Sequence, residues 1–112
     1  MKRCWQVSLT EVAGRDFADI LQWTVRHFGK AQARTYEKTL RIALQDLAQG
    51  PEMVGCRERK EIGPRIFSLH VARKGRKGRH FVMFRVSSKL ASIEVLRVLH
   101  DSMDLAQHVD IC

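Results

Sequence analysis

Residues 16–51 read DFADILQWTVRHFGKAQARTYEKTLRIALQDLAQGP, and the spacing of apolar residues through this stretch decides the fold. With Ala13 just upstream, Phe17, Ile20, Leu21 and Phe28 fall on one helical stripe, while Arg15, Asp19, Gln22 and Arg26 turn mostly away from it. Gly29 stands where a left-handed C-cap would end such a helix. A second helix follows at once: Ala33, Tyr36, Leu40, Ala43, Leu44 and Leu47 recur at three- and four-residue steps until Gly50-Pro51 stops them. Two amphipathic helices joined by so short a link predict an antiparallel hairpin, and the small Ala33 and Ala43 let its helices approach closely.

Strand patterns flank the hairpin. Residues 5–10 alternate Trp5/Val7/Leu9 against Gln6/Ser8/Thr10, a period of two. Residues 52–64 are charged and bracketed by Gly55 and Gly63-Pro64, which reads as loop with room for a short strand. Three strands then follow. Residues 65–71 put Phe67, Leu69 and Val71 on one face, and residues 81–86 do the same with Val82, Phe84 and Val86. Residues 93–99 are apolar on both faces except for Glu94 and Arg97, as suits a covered central strand. The two-glycine loop 72–79 favours an antiparallel pair, residues 87–92 make the next turn, and residues 103–109 predict a short terminal helix. The reading is an α+β domain over residues 1–112: strand, helical hairpin and three-stranded antiparallel meander, with the helices on one face of a small sheet.

Composition narrows the class. A chain of 112 residues with 45% hydrophobic and 29% charged residues fits one globular domain with one modest core. No apolar run approaches the roughly 20 residues of a membrane span. Ser8, Thr10 and Glu11 interrupt any apolar signal region, so no signal peptide is expected. Cys4, Cys56 and Cys112 are odd in number and far apart, which argues against a disulfide framework or a zinc spacing and for three separate thiols in a reducing cytoplasm. His27, His70, His80 and His108 show no ligand spacing, so neither a metal nor a cofactor is expected. The net charge is +8, and residues 57–80 alone carry +7: nine Lys/Arg against Glu58 and Glu61. Such concentration points to an acidic partner, either nucleic acid or an acidic protein segment.

Three stretches together resemble ParE-type toxins of the RelE/ParE superfamily. Residues 16–51 resemble their helical hairpin, with a Phe-Gly turn, a Gln-Ala pair and a Leu-Ala…Pro ending. Residues 63–86, GPRIFSLHVARKGRKGRHFVMFRV, resemble their strand hairpin. Residues 93–109, IEVLRVLHDSMDLAQHV, are similar to their closing strand and tail, including an Arg-Val-Leu-His step and a Met-Asp pair. The resemblance implies a sheet backed by a helical hairpin and a cognate ParD-like antitoxin whose C-terminal segment wraps over the toxin in a hetero-oligomer. It implies growth arrest through DNA gyrase, with nucleic acid met only indirectly. RelE members of the superfamily are instead ribosome-dependent mRNA endonucleases, so fold does not settle function.

An endonuclease of that kind needs groups that activate a ribose hydroxyl, stabilise the phosphorane and protonate the leaving oxygen. The candidates for this alternative are Arg65, Arg85, Arg97 and His100, each near a predicted strand. Asp101 follows His100 where an aromatic residue would complete such a site, and the only tyrosine, Tyr36, reads as packing of the second helix. No catalytic residue is therefore expected. Partner binding is instead expected at Trp23, Tyr36 and Leu40 on the hairpin and at Arg73, Lys74, Arg76, Lys77 and Arg79 in the basic loop.

Overall fold

The hydroxyl of Thr10 starts the helical hairpin and ties it to the sheet. It accepts the N–H of Ala13 at 3.1 Å, capping the first helix, and donates to the carbonyl of Leu96 at 3.0 Å. In the computed structural model, which describes residues 4–109, a short strand β1 (Gln6–Leu9) leads into α1 (Glu11–Phe28) and α2 (Lys30–Asp46). A 3-10 turn (Leu47–Gln49) follows, then strands β2 (Cys56–Glu58), β3 (Ile66–His70), β4 (His80–Ser87) and β5 (Ser92–His100), and a one-turn helix α3 (Leu105–His108).

A single residue, Gly29, links the two long helices. Its backbone, at φ 91° and ψ 170°, is not the left-handed cap that the sequence predicts but an extended positive-φ conformation open essentially to glycine alone. Its N–H still bonds the carbonyl of Val25, and its own carbonyl accepts from Ala33, so one residue closes α1 and opens α2. Phe28, placed on the buried stripe by spacing, lies 64% exposed, because α1 runs past the sheet before it ends.

The sheet has five strands in the order β1-β5-β4-β3-β2. The meander is thus one strand longer than expected, since the weak pattern at residues 56–58 pairs antiparallel with β3. β1 lies parallel to β5, with Gln6 opposite Ser92 and Leu9 opposite Val95. Its entry is fixed by Trp5, whose N–H bonds the carbonyl of Ala48. The indole covers Gly50, where an added Cβ would meet Nε1 at 2.5 Å.

Helix-facing positions Phe67, Leu69, Val82, Phe84, Ile93, Val95 and Val98 pack against Ala13, Leu40, Ala43 and Leu47 in the main core. A smaller cluster of Ile66, Met83, Leu96, Leu99 and Val109 covers part of the opposite face beneath α3. A bulge makes both possible. Met83 pairs with Arg97 but Phe84 with Val95, so Leu96 is an extra residue on β5 that shifts the face of everything beyond it. That is why this strand reads as apolar on both sides.

Beyond Val95, β1 no longer covers the edge of β5, and Asp16 of α1 takes its place. Its carboxylate accepts the backbone N–H of Val98 at 3.0 Å and grips the Arg97 guanidinium at 2.7 and 3.0 Å. The same guanidinium donates to the carbonyl of His108, so one side chain joins α1, β5 and the tail.

Candidate functional site

Where α1 and α2 overhang the end of β4 and β5, an open groove of about 810 Å³ forms. Its apolar floor comes from Ile20, Trp23 and Phe28 on the hairpin and from Val98 and Met103 on β5 and the tail. Lys77, Arg79, His80 and His100 form the opposite wall, and Tyr36 lies between. The groove therefore gathers Trp23, Tyr36, Lys77, Arg79, Arg97 and His100 from the expected residues.

Trp23 is 53% exposed and stacks on His27 at 4.1 Å between ring centroids, with Phe28 edge-on at 5.7 Å. Three exposed rings at the tip of a hairpin make an apolar surface that water covers poorly. Leu40 does not belong to it. This residue is 1% exposed and sits in the main core, so the expectation that it meets a partner is corrected: its helical phase turns it to the sheet.

The polar wall is a chain of committed hydrogen bonds. Tyr36 accepts the Arg79 backbone N–H at 3.1 Å and bonds Nδ1 of His80 at 2.6 Å. Burial raises the phenol's pKa, and nearby Asp101 adds to it. Burial, followed by the neighbouring His100, lowers the His80 imidazole to about 4. The phenol thus keeps its proton and donates it to a neutral ring. The His80 and His100 rings meet edge-to-face at 5.3 Å across β4 and β5.

His100 Nδ1 accepts the backbone N–H of Ser102 at 3.1 Å, which puts the ring proton of the neutral form on Nε2. Nδ1 of His70 likewise accepts from Ala72, so its Nε2–H donates to Asp101 at 3.0 Å. Asp101 also receives Arg79 at 3.0 and 3.1 Å. The Arg79 hydrogen bonds, then that of His70, hold the Asp101 carboxyl far below the ordinary carboxylate range. Asp101 approaches His100 only to 3.6 Å, so its strong bonds fasten β3 and the basic loop.

The basic loop is partly neutralised from within. Arg73 and Lys74 converge on Asp46 at 2.6 and 3.2 Å, away from the groove, leaving Lys74 more than half exposed. The structure gives Arg76 and Lys77 no acidic partner among the described residues.

The four endonuclease candidates do not converge. His100 lines the groove on the helix side. Arg85 pairs in register with Ile66 and Glu94, on the opposite sheet face, and five residues from His80 along β4. That is a separation of roughly 17 Å at the usual strand rise. Arg65, at φ 61°, bonds Ser88 at the same far end. Arg97 is held by Asp16.

Tyr36 is not only helix packing, since its hydroxyl joins the His80–His100 pair from α2. His80 itself was missed, although its two-residue step from Val82 and Phe84 puts it on the helix-facing side.

Comparison with known proteins agrees with this architecture. The profile of the ParE toxins of type II toxin–antitoxin systems matches residues 7–105. Toxin ParE1 of Caulobacter vibrioides is 29% identical over 101 residues, covering 90% of this chain and 94% of that protein. Among solved structures, the chromosomal ParDE system of P. aeruginosa superimposes with a TM-score of 0.70 at 20% identity, over 88% of this chain and 97% of that one. The RelBE2 toxin–antitoxin complex of Mycobacterium tuberculosis gives 0.59 at 23% identity, over 89% and 94%. At such identities these two likenesses speak for the fold alone. With nearly the whole folded chain inside the profile, the protein belongs to the ParE toxin family of type II toxin–antitoxin systems.

Proposed function

We propose that this toxin acts by binding DNA gyrase, without turnover of its own, and is neutralised by a ParD-like antitoxin. The observation that carries the reading is the scatter of the RNA-cleaving candidates. Arg65 and Arg85 lie at the far end of the sheet from His100, and Arg97 is spent on Asp16. General acid–base catalysis needs its groups within hydrogen-bond reach of one reacting centre. What the surface does offer is an exposed aromatic tip and an apolar groove with a cationic rim, which suits protein contacts.

The antitoxin is expected to lay an acidic amphipathic segment along this groove. Its apolar anchors would meet Trp23, Phe28 and Met103, and its carboxylates the basic loop. Leu40 contributes from beneath by holding α2 in place.

The Tyr36–His80–His100 array favours one second reading, a ribosome-dependent endonuclease. Two assays on the purified toxin separate the two. Gyrase supercoiling is expected to fall with added toxin, with cleaved DNA accumulating, while mRNA on ribosomes stays intact. Unimpaired gyrase together with cut mRNA reverses the proposal.

A further inference from the structure

The basic surface continues past the groove. Lys77 and Arg79 line it, but Arg57, Arg73, Lys74 and Arg76 do not. Arg57 stands on the edge strand β2, opposite Ser68. The loop abuts the approach to that strand, where Arg73 donates to the carbonyl of Val54 at 3.3 Å. Among the described residues, Arg73 and Lys74 pair with Asp46 and Arg79 pairs with Asp101, while Arg57, Arg76 and Lys77 have no acidic partner. Glu58 follows Arg57 but takes the alternate face of β2.

The loop is also fixed. Ala72 is tied to His70, Arg73 to Asp46, the Arg76 N–H to the Arg73 carbonyl at 3.0 Å, and Arg79 to both Tyr36 and Asp101. Lys74 and Gly75 turn the chain with φ of 55° and 79°. A fixed loop presents its charges at less entropic cost than a mobile one.

We infer that this loop and the β2 edge touch the sugar–phosphate backbone of duplex DNA directly, beside the gyrase that holds it. The inference rests on the gyrase reading. Lys77 and Arg79 line the groove while Arg57 and Arg76 lie outside it, so the outer cations stay open to phosphates when no antitoxin is bound. Backbone contact carries no sequence preference and is strongly salt-dependent. Three contacts from Arg57, Arg76 and Lys77 predict a slope of about −3 for log affinity against log salt.

The test measures anisotropy of a labelled duplex between about 50 and 200 mM salt, with gyrase supercoiling followed in parallel. The triple variant Arg57→Ala/Arg76→Ala/Lys77→Ala should bind at least about tenfold more weakly at low salt, with a slope near zero. It should need about tenfold more toxin to inhibit gyrase. Lys30→Ala/Lys38→Ala/Lys89→Ala removes the same charge elsewhere and should keep the slope. Arg57→Lys/Arg76→Lys/Lys77→Arg should keep it too, which guards against a misfolded alanine triple.

Equal losses in both alanine triples would reduce the effect to net charge and overturn the inference. So would unchanged gyrase inhibition by the loop triple, which leaves the gyrase reading standing. Tighter binding to single-stranded RNA than to duplex would overturn it in favour of the endonuclease. Loop-dependent DNA binding by a toxin that leaves gyrase uninhibited would overturn the gyrase reading and the inference with it.

Discussion

Asp16 supplies at the edge of β5 what a neighbouring strand would otherwise supply, an acceptor for the Val98 N–H, and it neutralises Arg97 in the same step. Replacing it with Ala leaves a partly buried donor and a cation unpaired, which costs about 2 kcal/mol. A thermal melt should therefore fall by about 10 °C. An Asp16→Asn variant, which keeps an acceptor for Val98, should lose less.

His80 makes stability depend on pH. Its folded pKa of about 4 lies below the ordinary histidine value, so the unfolded chain binds a proton that the folded one refuses. Its contribution is complete above about pH 6.5 and declines as the pH falls towards 4. Urea midpoints at pH 7.5 and 5 should show this decline. His80→Asn, which still offers Tyr36 an acceptor, should flatten it.

His100→Ala should cost less than about tenfold in toxicity, because its Nδ1 serves the Ser102 turn. A general acid or base at this position predicts a loss of about 10² to 10⁴ instead. Growth assays beside circular dichroism distinguish the two.

The helical hairpin and four of the five strands were legible because each carries its own period. Phe67/Leu69, Val82/Phe84 and the Leu40–Ala43–Leu47 series declare their buried faces without outside help. β2 was nearly silent, since Cys56, Arg57 and Glu58 on an edge strand have no apolar face to repeat. The site was less legible still. Tyr36 meets His80 across 44 residues, and no local pattern announces a bond of that separation. The placement of Leu40 failed for a related reason: spacing gives a stripe, but only the packed sheet says which part of it stays open.

The basic loop is the element whose role is easiest to isolate. Its cations should steer the antitoxin more than hold it, because exposed charges act mainly on encounter while desolvated anchors set residence time. Replacing Lys74, Arg76 and Lys77 with Ala should slow association and flatten its salt dependence, with dissociation nearly unchanged in a kinetic binding assay. A change confined to dissociation would make the loop an anchor instead.

At the scale of the whole molecule, the helices and tail close the sheet unequally. One face is covered by the hairpin except at the groove. On the other, among the described residues, Ile62, Leu105 and Val109 pack over the cluster of Ile66, Met83, Leu96 and Leu99. Among the described residues, no helix is long and apolar enough to cross a membrane. The uncovered groove leaves aromatic surface in water, so an antitoxin seated there would stabilise the folded toxin by mass action.

The parallel pairing of β1 with β5 also sets a clock. Gln6 has no strand partner until Ser92 exists, and the Thr10 hydroxyl waits for the carbonyl of Leu96, 86 residues later. At synthesis rates of roughly 5–20 residues per second, β1 stays unpaired for several seconds after it is made. The hairpin can form early from local contacts, but the sheet edge and the Asp16–Arg97 tie come only with the last strand. A ribosome that has not yet made β5 therefore carries a helical hairpin without its groove, and the assembled toxin arises only once that strand exists.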